Sequence, residues 1–323
     1  MNKLGCLFCA LALVVAASSA QAEDAAAFPT RSIRLIVPST AGGPVDSVAR
    51  ILANALKAEW TESVIVESKP GAGNSTGSLY VAQSPPDGYT LLVISDSITV
   101  NPSLYPRLNK DPLTQFAPIS ILVTAPQLLI ARSDIEASNL REFIALEKTK
   151  NLNMGSAGTG TISHLTQVLL EQLTGVKSTH VPFHGAGPAV TAVLGKHVDA
   201  AWVMPAPTLA YIASGQIKAL AVTGSARDPK LPQVPTAEES GVANFQVLNW
   251  QGLFAPANTP KPIIEKISRA VATAMRKPEV RARMESLGFE ARGDGPEEAA
   301  EQVRINVARW STVLAKAGMV VTK

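Results

Sequence analysis

Three times in this chain a short apolar strand runs into a loop of small residues and then into a helix. The first unit is the clearest. Ile33–Val37 is a β-branched apolar run that reads as a buried strand, and Pro38 ends it. Ser39, Thr40, Ala41, Gly42 and Gly43 form the loop, and Pro44 suits the first helical position with Gly43 as cap. Val48, Ile51, Leu52, Ala55 and Leu56 fall on one helical face. The second unit pairs a strand at Leu152–Ser156 with Ala157, Gly158, Thr159 and Gly160, and a helix from about Thr161, stopped by Gly175. The third pairs Thr179–Phe183 with the loop His184–Gly187 and a helix from Pro188 to Gly195. Strands alternating with helices predict an α/β fold with largely parallel sheet. Free N–H groups at a helix start favour an anion by ~0.3–1 kcal/mol, and up to ~2 when partly buried. Each unit is also compatible with an ordinary βα turn.

The chain opens with a pattern distinct from these units. Lys3 is a positive n-region, Leu4–Ala17 an apolar h-region, and Ala20-Gln21-Ala22 a small-x-small cleavage site. The expectation is a signal peptide over residues 1–22, cleaved after Ala22, and a periplasmic mature protein. Both cysteines, Cys6 and Cys9, lie in this leader, so the mature chain is expected to have no disulfide and no thiol chemistry. Its stability then rests on packed cores, and about 300 residues can build one or two. Removing the leader takes away Lys3 and no acid, so the formal charge drops from +3 to +2. That balance, with aromatic residues at only 5%, argues against a nucleic-acid partner.

Between the units, strands are predicted at Ser63–Glu67 and Tyr89–Ile94, the latter ending at Ser95-Asp96-Ser97, and a short helix at Ser75–Gln83. Asn101–Pro118 reads as loop. Ile119–Thr124 and Gln127–Ala131 read as strands flanking Pro126, the first a crossover into a second lobe. Ser138–Lys148 reads as a helix, Val198–Met204 and Ile217–Thr223 as strands, and Trp250–Ala255 as the return crossover. Helices are predicted over Pro262–Lys277, from Pro278 to Gly288, and over Pro296–Lys316. Along the second unit's helix, Ile162, Leu165, Leu169 and Leu173 are expected to point inward.

If two lobes present these loops across a cleft, backbone amides and hydroxyls can grip a carboxylate and release it again. Asp46, in the first turn of its helix, either satisfies the local N–H groups or orients a water. His164 is expected to hydrogen-bond close to the second loop. Phe183 and Trp202 either flank an aromatic ring or are core residues on strands.

VPSTAGGPVDSVAR, KPGAGNSTG, PPDGYTLL, GSAGTGTISHL, HVPFHGAGPAV and WQGLFAPANTP, spread in order over nearly the whole mature chain, resemble the periplasmic substrate-binding proteins of the tripartite tricarboxylate transporter, or Bug, family. The resemblance implies a two-lobed periplasmic binding protein fold of type II, each lobe a mixed, mainly parallel sheet flanked by helices. It divides the chain into lobe 1, residues 28–124 and 250–323, and lobe 2, residues 125–249. It implies a small carboxylate (di-, tri- or aromatic) held by Ser39, Thr40, Ala41, Gly42 and Gly43 of one lobe. The other lobe supplies Ser156, Ala157, Gly158, Thr159, Gly160 and Ser163, with Asp46, Ser95, His164, Phe183 and Gly185 nearby. Its partners are two integral-membrane transporter subunits, or none in a sensory variant; the chain is expected to be a monomer without cofactor, metal or catalytic activity. Family members often carry an aromatic at Ser39 and a lysine at His184, so this pocket is more open at one corner and lacks a fixed cation beside Gly185.

Rival readings make different demands. Gly73-Asn74-Ser75-Thr76-Gly77 fits a nucleophile elbow, with Asp134 and His180 following in order, but Lys69-Pro70-Gly71 intervenes between strand and serine. Gly155, Gly158 and Gly160 do not match a dinucleotide loop. His180 and His184 on a strand stand about 13 Å apart, too far to share a metal.

Overall fold

The structure is a computed structural model that describes residues 27–319. The leader and its cleavage after Ala22 lie outside the described residues. In chain order the strands are β1 Ile33–Val37, β2 Val64–Ser68, β3 Thr90–Ser95, β4 Phe116–Pro126, β5 Leu128–Arg132, β6 Asn153–Ser156, β7 Thr179–Pro182, β8 Ala200–Val203, β9 Ile217–Val222, β10 Leu248–Pro256 and β11 Glu290–Ala291. The helices are α1 Pro44–Leu56, α2 Ser75–Ala82, α3 Ser97–Leu104, α4 Pro112–Gln115, α5 Leu140–Glu147, α6 Ile162–Thr174, α7 Ala186–Leu194, α8 Leu209–Ala213, α9 Lys261–Arg276, α10 Pro278–Ser286 and α11 Pro296–Lys316.

Two mixed sheets result, ordered β11-β4-β10-β3-β1-β2 and β7-β6-β8-β5-β9. In the first, β1 runs parallel to β2 and β3, whereas β10 is antiparallel to β3 and β4. In the second, β6 runs parallel to β7 and β8, whereas β5 is antiparallel to β8 and β9. The strand-loop-helix units therefore sit in the parallel part of each sheet, where every βα loop leaves from the same edge. The chain changes sheet through the antiparallel part. It leaves between Pro126 and Leu128 and returns between Val222 and Leu248. Thr223 ties the two passages together: its Oγ1 accepts from Gln127 N at 2.9 Å and donates to the Val247 carbonyl.

Helices cover both faces of each sheet. The apolar stripe of α1 packs with β1, β3 and α9 in one cluster that includes Leu35, Leu52, Leu91 and Ile267. The opposite face of the first sheet packs Ile36, Leu92, Trp250 and Phe254 against Ala299 and Val303 of α11. The end of α11 then crosses over, and Trp310, Val313 and Leu314 join the core of the second sheet with Phe143, Leu165 and Trp202. One helix thus belongs to both cores.

Two stretches differ from the sequence reading. Asn101–Pro118 is loop only over residues 105–111: α3 runs through Pro102, α4 follows, and β4 already begins at Phe116. Leu173 is 45% exposed rather than inward: the buried part of α6 ends at Leu170.

Candidate functional site

The loop after β1 and the loop after β6 face each other across a single cavity of about 450 Å³ between the two sheets. Ser39, Thr40, Gly43 and Ser95 line it from one side, and Ala157, Thr159, Gly160 and Ser163 from the other. The sheets are already in contact there. A Cβ on Gly160 would stand 2.5 Å from Leu104 Cδ1 of α3, so this position admits only glycine without a shift.

The expectation of unpaired loop amides needs correction. Gly42 N donates to Asp46 Oδ2 at 2.9 Å, and Gly43 N to the Thr40 carbonyl at 3.3 Å. Across the cavity, Ala157 N donates to Ser163 Oγ (2.9 Å), Gly158 N to Ser156 Oγ (3.1 Å) and Gly160 N to His164 Nδ1 (3.2 Å). The physical reason is local: the loop N–H groups ahead of each helix find acceptors in side chains of its first turn, Asp46, Ser163 and His164, or within the loop itself, the Thr40 carbonyl and Ser156. Asp46 is buried, and its carboxylate also accepts from Arg50 and Ser68, so it braces the first loop from beneath and does not line the cavity.

Other predicted residues also stand back from it. Ala41 and Gly42 are exposed at the loop tip. Ser156 lies behind the second loop, where its Oγ is 2.6 Å from His180 Nε2. His180 stacks on His164 with ring centroids 3.7 Å apart and planes 12° from parallel. Accepting from Gly160 requires His164 to be neutral at Nδ1, and burial, then the neighbouring His180, pushes its pKa down to about 4. Phe183 packs beside Gly155 in the satellite core with Val181, and Gly185 N ties to the Ala157 carbonyl at 3.1 Å; of that third loop, Ala186 reaches the cavity. Trp202 is fully buried, donates to Gln167 Oε1 at 3.1 Å, and presents an edge to the cavity wall.

What the cavity does collect is unpartnered side-chain polarity. Ser39 Oγ, Asp96 Oδ2, Gln127 Oε1, Asn249 Nδ2, Trp250 Nε1 and Gln251 Oε1 are buried, have no hydrogen-bond partner in the protein, and all belong to lining residues. A buried polar group left without a partner costs about 1–3 kcal/mol, so this concentration marks the place where the fold is completed by something it binds. Five of these six residues escaped the sequence reading. They come from the ends of β3 and β10 and from the Pro126–Leu128 passage, where the chain crosses between sheets. The signal for them was a run of polar side chains, Asn249 and Gln251, in an otherwise apolar crossover.

The elbow reading finds no assembled triad. Ser75 is buried and accepts from Asn109 Nδ2 at 3.0 Å. Asp134 is held by Lys196 and Arg132, each at 3.0 Å, and His180 by Ser156. Gly77 is glycine for packing, since a Cβ there would lie 2.8 Å from Pro38 Cα. Among the described residues, no three His, Cys, Asp or Glu side chains cluster for a metal, and no helix is long and apolar enough to cross a membrane.

Residues 48–319 match the model of the tripartite tricarboxylate transporter family receptor. A curated relative from Agrobacterium vitis, described only by its place in the ttuE-ttuC' intergenic region, is 36% identical over 304 residues, covering 93% of this chain and 87% of its own. MatC from Rhodopseudomonas palustris, solved with bound malate, is 35% identical with a TM-score of 0.74, over 89% of this chain and 100% of its own. A second R. palustris protein, solved with adipate, is 28% identical with a TM-score of 0.77, over 91% and 99%.

Proposed function

This chain belongs to the tripartite tricarboxylate transporter receptor family, and from that premise we propose that it is an exported binding protein that captures a small carboxylate in the cavity between its sheets. It carries the ligand to two integral-membrane transporter subunits and acts as a monomer without catalysis. The lobes are residues 28–124 with 250–323, and residues 125–249. They hinge at the two passages that Thr223 ties together.

The observation that carries this reading is the inter-sheet cavity itself, lined by the loops after β1 and β6 and by side chains with unpartnered donors, Ser39, Asn249 and Trp250. A carboxylate there meets the side chains of Ser39, Asn249 and Trp250, which carry donor groups without a partner in the protein, and the hydroxyls of Thr40 and Thr159 complete its shell. The volume suits a small dicarboxylate or an aromatic acid. Because lining residues come from both lobes, the ligand favours the closed arrangement. Malate and adipate, bound by the two R. palustris relatives, define the class to try first.

The test is a thermal-shift screen of the mature chain against malate, adipate, succinate, citrate and benzoate. A ligand at 100 times its Kd adds ~2.7 kcal/mol, enough to raise Tm by several degrees. A flat response to all five carboxylates would remove the reading.

A further inference from the structure

Among the described residues that line the cavity, Asp96 is the one with an ionisable carboxyl or a basic side chain. It follows β3 and opens α3, and it is 8% exposed. Its Oδ2 is buried and has no partner in the protein. No lysine or arginine among the lining residues offsets it. β3, α3 and β10, which pack around it, carry no other charged residue. α11 packs on α3, but its Glu297, Glu298, Glu301 and Arg304 are exposed, and Arg309 donates to the Gln246 carbonyl. On the far side of the cavity the nearest imidazole, His164, is engaged by Gly160 behind the loop.

An ionised Asp96 and an ionised ligand carboxylate in one cavity, with no cation between them, repel each other. A neutral Asp96 instead offers an O–H donor where a carboxylate needs one. We propose that Asp96 is a ligand-contacting, specificity-determining residue that donates a hydrogen bond from its neutral carboxyl to the bound carboxylate, so that capture of the ligand takes up one proton. This rests on the carboxylate-binding reading above. The balance is one proton from solvent onto Oδ2 in the molecules where it is absent, and no bond is otherwise made or broken. Burial favours the same form: desolvation raises the pKa of Asp96 to about 7, against the pull of the Trp250 and Ser97 backbone N–H groups. Near neutral pH the free protein is therefore divided between the two forms, and an anionic ligand selects the neutral one.

The experiment is calorimetric titration of the mature chain with whichever of malate and adipate binds more tightly, from pH 6 to pH 9. The carboxylates of both probes stay ionised throughout, their pKa values lying near the ordinary carboxylic range of about 4–5. The expected result is near-constant affinity below pH 7 and a fall approaching tenfold per pH unit above it, roughly 100-fold by pH 9. Repeating the titration at pH 8 in two buffers of different ionisation enthalpy should show uptake of close to one proton per ligand. Asp96→Asn, which keeps shape and a donor, should bind within a few-fold of the wild type at pH 6 and lose the pH dependence. The proposal is overturned by wild-type affinity that is flat with pH and takes up no proton. It is equally overturned by affinity that rises with pH and vanishes in Asp96→Asn, which would make the ionised form of Asp96 the one that binding requires. If none of the five carboxylates binds at any pH, the carboxylate reading itself falls, and this proposal with it.

Discussion

The backbone N–H of Gly42 donates to Asp46 Oδ2 at 2.9 Å, from the tip of the first cavity loop to a buried carboxylate one turn into α1. The hydrogen bond from Arg50 holds the Asp46 pKa below its usual value, and Gly42 and Ser68 add to this. A depressed carboxylate pKa contributes stability above the usual value that is lost as pH falls through the folded one. Asp46→Ala should therefore cost roughly 1–3 kcal/mol at neutral pH and free the loop, weakening ligand binding as well. Asp46→Asn should cost less, since the shape survives. Chemical denaturation and calorimetry on both variants check this.

Gly160 and Gly175 provide a matched pair. Both have positive φ, +77° and +74°, but a Cβ on Gly160 meets Leu104 of α3, whereas one on Gly175 meets nothing within 4 Å. Alanine at either site should cost about 1 kcal/mol of stability or somewhat more for the left-handed backbone. Only Gly160→Ala should also weaken carboxylate binding, because its methyl stands in the contact that closes the cavity. Equal affinities for the two variants would show that the contact plays no part in capture.

The loops were legible in the sequence because small residues between an apolar strand and a helical stripe leave a plain pattern. The partnering of their amides was legible only in part: Asp46 serving the local N–H groups was one of two readings and His164 was expected to hydrogen-bond near the second loop, and they accept from Gly42 and Gly160. Whether Ser163 or His164 folds back onto Ala157 or Gly160 depends on side-chain rotamers, and periodicity does not report those. The polar atoms of the cavity were hidden for a different reason. Asp96, Gln127 and Gln251 become neighbours of one space only when β3, β10 and the first passage come together, which is a tertiary fact. Asn101–Pro118 misled because Pro102 reads as a breaker, yet α3 accommodates it within eight residues.

Buried acids and imidazoles shape the pH profile in opposite directions. Burial, reinforced by Glu171, raises the pKa of Glu147 to about 8, and both of its carboxylate oxygens lack partners. The unfolded chain ionises Glu147 near the ordinary value of 4.5. The stability from keeping it neutral is thus complete below that value and is lost as pH rises towards 8. His164, neutral down to about 4, works the other way: as pH falls from 6.5 to 4 the unfolded chain gains a proton that the fold refuses. Between pH 6.5 and 8 only the acids act, so stability should decline over that window. Glu147→Met should flatten the decline and raise stability at pH 8 by roughly 1–3 kcal/mol. Thermal melts of both proteins across pH 6 to 9 read this out.

Ser75 separates binding from hydrolysis. Its hydroxyl is buried against Asn109, and Ser75→Ala should cost no more than about 1 kcal/mol of stability. Carboxylate affinity should be unchanged. Ester turnover that disappears in this variant would reinstate the elbow.

The central claim is that one carboxylate engages both facing loops at once. Amide hydrogen exchange on the mature chain, with and without a saturating concentration of the best carboxylate from the thermal-shift panel, measures this most directly. The account predicts slowed exchange in peptides covering residues 39–45 and 157–163 together, each saturating at the same ligand concentration. Protection confined to one of the two segments, or appearing only on surfaces away from the cavity, would contradict it.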